Sequence, residues 1–117
     1  MGYDLHVVRT KEWVDADTRP ILQSDVEGLM KSDKELAWST RSAIYTKNTK
    51  VIDWRGDPCF YWYRCEIIAK NPNQKQIIKL AQIAAKLNAY CVGDEDEQYV
   101  YQRGWLGGES VKIIPAT

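Results

Sequence analysis

The stretch NPNQKQIIKLAQIAAKLNAYCVGDEDEQYVYQ, residues 71–102, decides the fold class. Asn71 can cap a helix and Pro72 is well tolerated in a first turn, so a helix opens at Asn71-Pro72-Asn73. Ile77, Leu80, Ala81, Ala84 and Leu87 recur at three- and four-residue intervals and define its buried side, which ends near Asn88. The period then changes. Tyr90 to Gly93 reads as a short strand, Asp94 to Glu97 as an acidic loop and Gln98 to Gln102 as a returning strand. Beyond Gly104-Trp105-Leu106-Gly107-Gly108, Val111 to Ile114 reads as a last strand.

Upstream, Tyr3 to Thr10 alternates like a strand inside a sheet, with Tyr3, Leu5 and Val7 on one side and Asp4, His6 and Val8 on the other. Lys11 to Pro20 has loop composition, with Trp13 as its tether. A short helix is expected from Ser24, because Ser24-Asp25-Val26-Glu27 has the Ser-x-x-Glu spacing that satisfies free amides reciprocally. Val26, Leu29 and Met30 form its apolar stripe, and it ends near Ser32 or Asp33. From Leu36 to Lys70 the residues are β-branched and aromatic, interrupted by turn compositions at Lys47-Asn48-Thr49-Lys50 and Gly56-Asp57-Pro58. This predicts an antiparallel meander with strands at 37–46, 51–55 and 59–69. In the third strand Cys59, Tyr61, Tyr63, Cys65, Ile67 and Ala69 would face the helices, and Phe60, Trp62, Arg64, Glu66 and Lys70 a partly wet side. The order of elements defines an α+β fold: a single domain over residues 1–117, a largely antiparallel β-sheet with two α-helices packed on one face.

Composition narrows the functional classes. The 117 residues carry 16 Lys plus Arg against 16 Asp plus Glu, so no global field draws the whole domain to nucleic acid or to an anionic bilayer. The longest apolar run, Cys59 to Tyr63, is far short of the roughly 20 residues that span a membrane. Charge within the opening Met1-Gly2-Tyr3-Asp4-Leu5-His6 does not suit an export signal, and His6 stands where a myristoylation motif needs Ser or Thr. A cytoplasmic protein is expected. Cys59, Cys65 and Cys91 are an odd number without CxxC spacing, which reads as reduced thiols in the core and not as a disulfide framework or a zinc site.

Few residues carry recognisable chemistry. His6, the one histidine, shares a strand face with Asp4, which would orient an imidazole for acid–base work. No Gly-x-Ser-x-Gly elbow accompanies it. Asp94-Glu95-Asp96-Glu97 fails as a calcium loop, since an EF-hand register starting at Asp94 puts Tyr99 in place of Gly and Trp105 in place of Glu. As a patch of carboxylates it would speed encounter with a basic partner. Gly104 to Gly108 lacks the Gly-Lys-Ser/Thr ending of a phosphate loop. Five Trp and seven Tyr form a high aromatic load, and Trp54, Phe60 and Trp62 are expected on the less buried sheet face, where such residues dominate binding.

Tyr3-Asp4-Leu5-His6-Val7-Val8-Arg9 followed by Trp13, and Asn71-Pro72-Asn73, Leu87-Asn88-Ala89 and Val92-Gly93-Asp94-Glu95 through Tyr99, resemble a family of small bacterial proteins that open with a YDLHI-type strand. The resemblance covers the two ends of the chain. Where the family has a Gly-Asp-Asp-Gly-Glu turn, this chain has the more acidic Gly93-Asp94-Glu95-Asp96-Glu97. Small α+β proteins of this sort resemble the immunity partners of bacterial toxins, including those of contact-dependent growth inhibition. The resemblance implies a binding protein, not an enzyme and without a cofactor, that covers the active site of a cognate toxin domain, with a nuclease as the expected toxin. Asp94, Glu95, Asp96 and Glu97 would then imitate displaced phosphates, and Trp54, Trp62 and Tyr99 would anchor the contact. Two other readings remain open at this point: an enzyme built on Asp4 and His6, with a metal in the acidic loop, and a nucleic-acid-binding sheet using Phe60, Trp62 and Arg64.

Overall fold

A computed structural model describes residues 3–40 and 49–116. The first strand, β1 (Asp4–Val8), alternates as its sequence requires, with Leu5 and Val7 in the main core and Val8 in a smaller cluster on the opposite face. A short 3-10 helix (Trp13–Thr18) follows where a loop was expected, and then come α1 (Gln23–Ser32), β2 (Leu36–Trp38), β3 (Thr49–Trp54), β4 (Asp57–Tyr63) and β5 (Glu66–Lys70). The chain ends with α2 (Gln74–Lys86), β6 (Tyr90–Gly93), β7 (Gln98–Arg103) and β8 (Glu109–Ile114). The strands form one antiparallel sheet in the order β2-β3-β4-β5-β1-β6-β7-β8 among the described residues, which is the α+β class expected. Leu5, Val7, Ile52, Phe60, Ile67 and Cys91 pack with Val26 and Leu29 of α1 and Leu80, Ala81, Ile83 and Ala84 of α2, so both helices cover one face. No helix among the described residues is long and apolar enough to cross a membrane.

The middle of the chain departs from its expected layout. The stretch expected as one strand over 59–69 is two, β4 and β5, joined by Arg64 and Cys65, with Arg64 in the left-handed region at φ 56°. A two-residue connection places Trp62 opposite Ile67 and Tyr63 opposite Glu66. Facing residues therefore change parity across it, and Phe60 and Trp62 join Ile67 and Ala69 in the core while Tyr61 and Tyr63 point to the other face. The preceding turn is tighter than expected as well: Arg55 and Gly56 both have positive φ, so Asp57 and Pro58 already belong to β4. Of the strand expected over 37–46, Leu36–Trp38 is β2, and residues 41–46 lie outside the described residues, as do Lys47 and Asn48 of the expected turn.

Both helix starts are displaced from their expected caps. In α1 the third helical residue, Asp25, accepts the backbone N–H of Leu22 at 2.8 Å, while Glu27 receives the side chain of Gln23 instead. In α2 the cap is Asn73 and not Asn71: its side chain accepts the N–H of Gln76 at 2.9 Å and Gln76 returns an acceptor to the N–H of Asn73. Asn71 takes a left-handed turn conformation, φ 48°, that brings the chain out of β5.

Candidate functional site

The sheet face away from the helices carries a densely bonded polar cluster that joins β1 to segments far along the chain. The register of β1 pairs His6 with Ile68 of β5 and Val92 of β6. Glu66 and Asp94 are each two residues from those partners and so point to the same side as the imidazole. His6 Nδ1 is 2.5 Å from Glu66 Oε1, and Nε2 is 3.1 Å from Asp94 Oδ1. The ring is closed over by Trp13, with ring centroids 4.6 Å apart and planes within 4° of parallel. His6 retains 6% of its exposure.

Burial alone would push the His6 pKa down. The hydrogen bonds and negative charges of Glu66 and Asp94 outweigh it, and the net shift is upward from the ordinary 6.5. Only the imidazolium donates from both ring nitrogens, so only the charged form satisfies both carboxylates. The expected Asp4–His6 pairing gives way to this arrangement: what Asp4 supplies is its backbone N–H, donated to Asp94 Oδ2 at 3.1 Å.

The acidic loop is built into the cluster. Trp13 donates its indole N–H to the carbonyl of Asp94 at 3.3 Å and its backbone N–H to Asp96 Oδ1 at 3.4 Å. Glu97 accepts the N–H of Glu95 at 3.2 Å and the hydroxyl of Tyr99 at 3.0 Å. Burial, reinforced by the Glu97 carboxylate, raises the Tyr99 pKa. The backbone closes tightly, with Gly93 N–H donated to the Glu97 carbonyl and Asp96 N–H to the Gly93 carbonyl. A side chain at Gly93 would collide with the Tyr3 hydroxyl and the Glu97 carboxylate, which explains the glycine. Asp94, Asp96 and Glu97, expected as part of a partner-binding carboxylate patch, bond to their own chain, and Glu95 projects into solvent.

Trp13 also brings a second acidic segment to the loop. Its 3-10 helix lies against β1 through Trp13 and Ala16 and exposes Asp15 and Asp17, with Glu12 exposed just before it. Glu12, Asp15, Asp17, Asp94, Glu95, Asp96 and Glu97, seven of the chain's 16 carboxylates, therefore occupy two segments joined directly by Trp13. Val14, 62% exposed, sits within this acidic face. Sequence alone identified Trp13 as a tether because it is a lone aromatic in a polar run. Nothing in the sequence singled out Glu66 as a partner of His6.

Trp54 and Trp62 lie elsewhere. Trp62 is in the main core with its indole N–H donated to the carbonyl of Ile21 at 2.9 Å, so the tight β4–β5 connection removes it from any exposed anchor set. The same parity change encloses Phe60, and the base-stacking platform expected of Phe60, Trp62 and Arg64 is not presented. Trp54 is on the helix side, stacked on Phe60 and bonded through its indole N–H to Glu35 at 3.4 Å. It lines an open cleft of about 540 Å³ with Asp33, Arg55, Lys79 and Lys86. There Lys79, 6% exposed, donates to Asp33 at 2.6 Å, to Gln82 at 3.2 Å and to Glu35 at 3.3 Å. Its donors are filled within the chain, so this cluster holds α2 against the α1–β2 turn.

Among the described residues no group of three or more His, Cys, Asp or Glu side chains is arranged to hold a metal ion. Burial pushes the thiol of Cys91 up to about 12 and that of Cys59 to about 11, which suppresses their nucleophilic thiolates. Comparison with protein-family models, with curated proteins and with solved structures gives no match.

Proposed function

We propose that this chain is an immunity-type binding protein that acts in the cytoplasm, capturing a cognate bacterial toxin domain and covering its active site with the acidic face around Trp13. The observation that carries this reading is the pair of bonds from Trp13 to Asp94 and Asp96, which fuses two acidic segments remote in sequence into one surface. A nuclease toxin must hold phosphate, so its cleft is basic, and a face of fixed carboxylates is its electrostatic complement. Most of the loop is held by internal hydrogen bonds before any partner arrives, which lowers the ordering cost of binding. Glu12, Asp15, Asp17 and Glu95 supply the projecting charge, and Val14 supplies apolar contact within it. The resemblance of the opening strand and of the Val92 to Tyr99 block to a family of small bacterial proteins, whose kind resembles the immunity partners of toxins, supports the same class.

The test is association with the toxin-like product of the neighbouring gene. Neutralising Glu12, Asp15, Asp17 and Glu95 together, as Gln or Asn, leaves the His6 cluster intact and is expected to slow association at least about tenfold at low salt, with a flattened salt dependence. Unchanged affinity and association rate in this variant would reject the proposal.

A further inference from the structure

We infer that the chain forms a two-fold dimer in which β8 pairs antiparallel with β8 of a second copy. β8 is the outer strand of the sheet and keeps an unbroken register with β7, from Gln98 opposite Ile114 to Arg103 opposite Glu109. Natural edges are blunted by shortness, bulges, proline or charge. Among the described residues the other edge, β2, is three residues long, whereas β8 is six residues without a bulge or internal proline. Its side chains include Ile113, 57% exposed, and Ile114, 38% exposed, and the hairpin tip before it exposes Trp105 at 93% and Leu106 at 82%. Of its two charges, Glu109 is turned back to accept the Tyr101 hydroxyl, leaving Lys112 as the free one.

The occupant follows from edge lengths and symmetry. A head-to-tail contact of β8 with β2 would mismatch six residues against three, whereas an isologous contact matches β8 with itself and closes. A two-fold axis perpendicular to the sheet keeps the helix-covered face on one side, so residues directly opposite must come from the same face and have the same parity. Two such registers overlap well. Centring on Lys112 places Lys112 against itself and is repulsive. Centring on Val111 places Val111 against itself, Ser110 opposite Lys112, and Glu109 opposite Ile113.

Backbone geometry is compatible with both registers, and the Lys112 repulsion selects the second. Gly104 donates to the Gly108 carbonyl at 2.7 Å, so by alternation Glu109, Val111 and Ile113 direct their backbone groups outward, where the second copy can bond them. Gly108 of each copy then lies opposite Ile114 of the other. One added strand with its flanking side chains covers about 600 Å² per partner, at the low end of specific interfaces.

Sedimentation of the full chain from about 1 to about 500 µM tests this. A monomer–dimer equilibrium is expected for the wild type. Ile113→Glu places like charges opposite one another and is expected to weaken the dimer at least about tenfold, whereas Ile113→Lys faces Glu109 and is expected to preserve it. Both changes are at an exposed position, and unchanged circular dichroism accompanies the expected result. A wild type that stays monomeric at every concentration, or a dimer that survives Ile113→Glu or is lost with Ile113→Lys, overturns the inference.

Discussion

His6 and Trp13 are stacked, 4.6 Å between ring centroids and 4° from parallel, with the imidazole bonded at one end to Glu66 of β5 and at the other to Asp94 of the loop that leaves β6. This contact joins the centre of the sheet to the acidic surface. Protonation of one ring therefore bears on the order of the whole face.

Stability should fall as the pH rises above neutrality. The folded-state pKa of His6 is raised above 6.5, so its contribution is complete below 6.5 and is lost as pH climbs through the folded value. Melting temperature measured from pH 6 to pH 9 is expected to decline in the wild type and to flatten in His6→Gln, which keeps a hydrogen-bonding group without the titration. A wild-type profile that rises over this range would contradict the arrangement.

Trp13→Phe keeps an aromatic face over His6 and removes the indole donor to Asp94. The expected cost is about 1 kcal/mol in urea unfolding, and Trp13→Ala should cost about 3 kcal/mol because packing over the imidazole is also lost. If the two variants were equally stable, the stacking would carry no weight.

Gly93→Ala puts a methyl group where the Tyr3 hydroxyl and Glu97 carboxylate already converge. Displacing them should destabilise the chain by about 2 kcal/mol. The double variant Gly93→Ala with Tyr3→Phe is expected to recover part of that loss in the same unfolding measurement.

Lys79→Met leaves Asp33, 8% exposed, without its closest cation, and a loss of about 3 kcal/mol is expected. Lys86→Met removes an exposed partner of the same carboxylate, 3.3 Å away, and should change the unfolding midpoint little. Equal effects would mean that burial does not distinguish the two lysines.

Much of the fold was legible because periodicity survives without knowledge of neighbours. The α2 stripe, the Tyr90–Gly93 strand and the acidic loop are where the spacing of Ile77, Leu80, Ala81 and Ala84 and the run from Asp94 put them. The β4–β5 connection was hidden because Arg64 adopts a left-handed conformation that sequence ordinarily assigns to glycine or asparagine, and one unseen turn reversed the inferred exposure of Phe60 and Trp62. The site was half visible for a related reason. His6, Trp13 and the acidic loop are conspicuous residues, but their association depends on β1 lying between β5 and β6, a long-range pairing that no local pattern encodes.

That central position of β1 also bears on how the chain is made. β1 is held by two strands that are synthesised well after it, as the pairing of Asp4 with Lys70 shows. Until then its apolar residues Leu5 and Val7 have no lasting shelter, and the two sides of the sheet have nothing to join them. Assembly is thus governed by a late, non-local closure, which is slow for its size and leaves a hydrophobic segment exposed during synthesis.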